Sequence, residues 1–86
     1  MTTEAMTTEP PAPDHVVDSR GTLCPMPIVM LHRAMRAAEA GQVVKLLATD
    51  HGAKADVPAW ASDTENELLA SAEEDGALVF WLRKSA

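Results

Sequence analysis

Cys24 is the only cysteine of this chain, and it sits in the run RGTLCPMPIV, three residues after Gly21 and directly before Pro25, with Pro27 close behind. A lone thiol cannot form an internal disulfide, so an intramolecular dithiol mechanism is excluded and the sulfur is free for nucleophilic or carrier chemistry. The nucleophile in such chemistry is the thiolate. An unperturbed cysteine, with a pKa of about 8.5, is only a few per cent ionised near pH 7, so reactivity requires a local means of holding negative charge. A helix starting just after Cys24 would supply one through its free amides and its dipole. Pro25 and Pro27 have no amide hydrogen, which leaves Met26 and Ile28 as the donors of that first turn, in a backbone of restricted φ. The candidate site is therefore Cys24 with a thiolate-stabilising turn of Gly21, Pro25, Met26, Pro27 and Ile28. The plainer alternative is a small buried hydrophobe beside a helix that opens with proline.

Other residues offer less. His15, His32 and His51 do not stand at ligand-like spacing with one another or with Cys24, so no metal site and no cofactor is expected. His51 lies in the loop ATDHGAKAD beside Asp50. If that loop meets the cysteine, His51 would help to deprotonate the sulfur, while Asp50 would disfavour the thiolate. Arg33 and Arg36 lie within one helical turn of each other in an otherwise acidic chain and are candidates for docking an acidic partner. Trp60, Phe80 and Trp81 are too scattered for a base-stacking platform and read as core, with Trp81 exposed on an outer sheet face.

The elements that must position these groups are legible in order. HVVDS reads as a first strand, and RGT turns the chain toward the cysteine. From Pro25 to Ala40, apolar residues recur at Ile28, Leu31, Met35 and Ala38 while Arg33 and Arg36 fall on another face, which predicts an amphipathic helix ended by Gly41. QVVKLLAT, nearly all apolar, predicts a strand in the middle of a sheet. The next stretch, DHGAKADVPAWASDT, carries a weak helical pattern at Ala53, Val57, Trp60 and Ala61. Pro58 disfavours helical geometry at Val57, so this second helix is expected to be short and irregular near its start. NELLASAEEDGALVFWLRK predicts two strands hinged at Asp75-Gly76. The order β-α-β-α-β-β predicts an α/β two-layer sandwich, a four-stranded mixed sheet with both helices on one face. Loops that follow parallel strands share one sheet edge, so Asp50 and His51 are expected near Cys24.

At 86 residues the chain fits one domain, taken as 14–86, preceded by a tail at 1–13 whose Thr, Glu and Pro content predicts disorder. No apolar run approaches the roughly 18 residues of a membrane span, and the N-terminus has no signal-like pattern, so a cytoplasmic protein without membrane contact is expected. A formal charge of −6, from 13 acidic and 7 basic residues, argues against direct nucleic-acid binding and favours protein partners. A monomer suits a protein that presents one sulfur to successive partners.

The run DSRGTLCPMPIVMLHRAM resembles the signature of the TusA/SirA family of small sulfur-carrier proteins, a strand followed by a cysteine-proline-x-proline turn and a helix. The likeness continues through LLATDHGAKADVPAWASDTENELL, with its aspartate-bearing loop and aspartate-hydrophobic-proline step, and through EEDGALVFWLRK. What the resemblance implies is the fold inferred above and a protein-to-protein sulfurtransferase activity. Cys24 would accept a sulfane sulfur as a persulfide from a donor such as a cysteine desulfurase or rhodanese and pass it to an acceptor protein. The alternative from another class is a binding or regulatory module of the same fold in which Cys24 is chemically idle. Leu23 stands where several tRNA-thiolating members have arginine, and Met26 where they have glutamate, so Arg20 is the one nearby cation that could reach the sulfur. Around TENELL many members have glycine and histidine where this chain has Glu65 and Asn66.

Overall fold

In the computed structural model, which describes residues 10–85, the β-branched segment His15–Asp18 forms β1 and runs parallel to β2, Val43–Ala48. Residues 1–9 of the expected tail lie outside the described residues, and 10–13 have no helix or strand. The helix α1, Met26–Ala37, joins β1 to β2, and α2, Ala53–Thr64, follows β2. The strands β3, Glu67–Glu74, and β4, Ala77–Arg83, close the chain as an antiparallel hairpin. Strand order is β1-β2-β4-β3, with β4 antiparallel to β2. The two most apolar strands thus occupy the centre of the sheet, and the order of elements is the predicted one.

Period-two alternation decides which side chains meet the helices. Val44, Leu46 and Ala48 of β2 and Leu78, Phe80 and Leu82 of β4 face one way and bury Leu31, Met35 and Ala38 from the first helical segment and Ala53, Val57 and Ala61 from α2. Both helices therefore lie on one face of the sheet. On the other face Val43, Val79 and Trp81 form a smaller cluster with Leu47, Leu69 and Ala70 packed against it. Trp81 was expected to be exposed there, yet it is only 7% exposed, with Lys45 Nζ 5.4 Å from its ring centre. A bulge at Leu68/Ala70 contributes, because an extra residue in β3 lets Leu69 and Ala70 both reach this face.

Both helices depart from the sequence expectation. The helix α1 ends at Ala37, because Ala38 is extended, and its last carbonyls bond to the Ala38 amide and to Lys84 Nζ, 2.8 Å from Ala38 O. Gly41, at φ +87°, shapes the turn into β2 instead of capping the helix. The helix α2 runs for 12 residues straight through Pro58. Pro58 and Lys54 are both exposed, so the carbonyl left without an amide partner can bond water, while Val57 is fully buried on the opposite side. Burying that valine is worth about 1.5–3 kcal/mol, and with Ala53 and Ala61 buried on the same face it offsets the roughly 3 kcal/mol that an interior proline costs a helix.

Candidate functional site

The turn that carries Cys24 is tied across the parallel pair β1 and β2. Ser19 is fully buried, and its amide and hydroxyl both donate to Leu47 O. The Gly21 amide, at φ +83°, donates to Thr49 Oγ1 at 2.9 Å. Thr22 closes the turn on itself, its amide and Oγ1 both donating to Ser19 O. These bonds fix the end of β1 to the end of β2, so the loop after each strand emerges at the same sheet edge.

At that edge the Cys24 amide donates to Asp50 Oδ2 at 2.6 Å, and Asp50 Oδ1 accepts the Gly52 amide at 3.1 Å. Asp50 therefore bridges the cysteine turn and the start of α2. The Gly52 and Cys24 amides, with a smaller contribution from the charge of His51, hold its carboxyl below the usual carboxylate range. The Cys24 sulfhydryl donates to Asp56 Oδ2 at 2.7 Å. The hydrogen bond to Asp56, partial burial of the sulfur and the negative charges of Asp56 and Asp50 together push the thiol pKa up.

The sequence placed Asp50 and His51 next to the cysteine turn. Asp50 touches it, whereas His51 is exposed and its charge is felt by Asp50, not by the sulfur. The Met26 and Ile28 amides, expected to face the sulfur, instead donate to Leu23 O and Pro25 O at 2.9 and 3.0 Å. Pro25 is the N-cap and Pro27 the buried second residue of α1, so the rigid frame is present, but its free donors are used within the backbone. Arg20 is held away from the sulfur by Asp18, which accepts its Nε at 2.8 Å and its Nη2 at 2.7 Å. Arg33 and Arg36 are exposed on α1 and line a groove with Ile28, His32, Trp60 and Thr64, in which the His32 and Trp60 rings meet edge to face.

Sequence reasoning missed Asp56. The signal available was its place in the first turn of α2, since the two helices that follow parallel strands begin at the same edge. Cys24 itself is exposed, as are its apolar neighbours Leu23, at 76%, and Met26, at 41%. A buried structural cysteine would be inert and hidden, and this one is open to another protein.

The fold and the site define a small α/β protein that presents one thiol, backed by two carboxylates, at the edge of its sheet. Residues 15–84 match the family model described as sulfurtransferase TusA, and the chain belongs to that family. YrkI of Bacillus subtilis is 44% identical over 71 residues, covering 83% of this chain and 95% of the relative. The sulfur carrier protein TusA of Pseudomonas putida strain GB-1 is 39% identical over 74 residues, covering 86% of this chain and 92% of the relative. The crystal structure of a SirA-like protein from Desulfitobacterium hafniense superposes with a TM-score of 0.73 at 22% identity, over 84% of this chain and 99% of that one, and so shares the fold.

Proposed function

We propose that this protein is a cytoplasmic, monomeric sulfur carrier that takes a sulfane sulfur as a persulfide on Cys24 from a desulfurase or rhodanese and delivers it to an acceptor protein. The observation that carries the reading is the exposure of the only cysteine of a TusA-family chain, on a turn anchored at the sheet edge. The exchange conserves electrons. The Cys24 sulfur bonds to the terminal sulfur of R–S–SH, the donor S–S bond breaks, and the donor sulfur leaves with the electron pair and regains a proton, giving Cys24–S–SH and R–SH. Exposed Leu23 and Met26 supply apolar contact beside the sulfur, and Arg33 and Arg36 supply charge for an acidic partner surface. The net charge of −6 favours protein over nucleic-acid partners.

A second reading, a binding module with an idle cysteine, draws on the carboxylates that keep the thiol protonated. One experiment separates the two. The full chain is incubated with persulfide-loaded desulfurase or rhodanese and weighed intact. The expected result is a mass gain of one sulfur atom, absent in Cys24→Ser, that is lost again on exposure to an acceptor thiol. No sulfur adduct with donors that load other carriers would sink the carrier reading and favour the binding module.

A further inference from the structure

The Cys24 sulfur has a single side-chain partner among the described residues, and that partner is not a base of the expected kind. The sulfhydryl points at Asp56 Oδ2, 2.7 Å away, across the gap between the cysteine turn and the first turn of α2. Asp50, the other carboxylate here, already accepts the Cys24 and Gly52 amides through its two oxygens. The nearby cation, Arg20, is occupied by Asp18. On the α1 side the nearest exposed neighbours, Leu23 and Met26, are uncharged. The charged groups facing the sulfur are therefore Asp56 from α2 and Asp50 from the loop after β2, with His51 acting on Asp50.

We infer that Asp56 is the proton-holding partner of Cys24: its carboxylate keeps the sulfhydryl proton on the resting sulfur and so restrains the exposed thiol until a donor engages it. Use of the device rests on the carrier reading above, while the device itself is a property of the free protein. In the resting state a carboxylate against the sulfur disfavours the thiolate, so the exposed cysteine reacts slowly with stray oxidants and electrophiles. During loading, the Sγ–S bond forms as the donor S–S bond breaks, the sulfhydryl proton ends on the departing donor sulfur, and no oxidant or reductant is consumed.

The test is the pH dependence of alkylation of Cys24 by iodoacetamide in the full chain, together with the thiolate ultraviolet absorbance of the unmodified protein. Asp56→Asn removes the like charge and should raise the alkylation rate at pH 7 roughly threefold, a gain in thiolate fraction partly offset by lower nucleophilicity. Asp56→Glu, which restores a carboxylate, should return the profile toward the parent, a rescue that a merely structural role would not give. Asp50→Asn should shift the profile less. In the parent protein, thiolate absorbance should appear at higher pH than in free cysteine. This last measurement needs no variant, so a thiolate appearing at or below the pH of free cysteine overturns the inference even if Asp56→Asn does not fold. Superimposed profiles for folded parent and Asp56→Asn also overturn it. Persulfide formation with superimposed profiles would leave the carrier reading and remove the role of Asp56, whereas a shifted profile without persulfide would do the reverse.

Discussion

Asp18 shows at the residue scale how one contact both sets a charge and frees a neighbour from it. Its carboxylate accepts the amide, Nε and Nη2 of Arg20, and these bonds lower its pKa from 3.8 to about 2. Because the folded pKa lies below the unfolded one, the pair contributes stability above about pH 4, and that contribution is lost as pH falls toward 2. The effect is small, since both side chains are about half exposed. Arg20→Ala should return Asp18 to an ordinary carboxylate titration, followed by carboxyl NMR, and should leave alkylation of Cys24 unchanged because Arg20 does not serve the sulfur. The sequence made Arg20 the candidate cation and Met26 and Ile28 the candidate donors. It could count available groups, but the closure of Leu23 to Met26 and of Pro25 to Ile28 depends on how the turn folds back on itself.

At the scale of elements, the end of α2 is the most informative. Glu65 adopts a left-handed conformation, φ 61° and ψ 25°, as the helix closes with Glu65 N bonded to Ser62 O and Asn66 N to Ala61 O. Glycine meets this geometry without a Cβ penalty, and Glu65 is exposed, so its side chain contributes no core packing in return. Glu65→Gly should therefore stabilise the protein by about 0.5–1 kcal/mol, read as a higher urea midpoint at unchanged slope. Asp75 and Gly76, at φ 51° and 81°, use the same region in the hairpin, and there the dipeptide announced itself in the sequence. The termination of α1 at Ala38 and the passage of α2 through Pro58 did not, because a cation from the chain terminus and the burial of Val57 override local preference.

For the molecule as a whole, stability and site geometry share one core. Leu31 is fully buried between α1 and the sheet, in contact range of the cluster that holds Leu46, Val57 and Leu82. Leu31→Ala should cost about 2–5 kcal/mol, a large share of the roughly 5–15 kcal/mol that keeps a small domain folded. Urea unfolding checks this. Partial unfolding should also loosen α1 from the edge where its N-terminal turn carries Cys24, so the variant should lose the pH signature of the Asp56 contact near its midpoint.

The amino-acid sequence by itself determined the order of elements, the central place of β2 and the meeting of the Cys24 turn with Asp50, because periodicity and the geometry of parallel strands are local or topological constraints; the central place of β4 came from the tertiary pairing. Only the tertiary structure decided that the sulfur faces Asp56. That contact depends on the rotation of α2 about its own axis, which is set by the burial of Ala53, Val57 and Ala61 against the sheet. With that face buried, Asp56, directly before Val57, is left half-buried at its margin, beside the thiol.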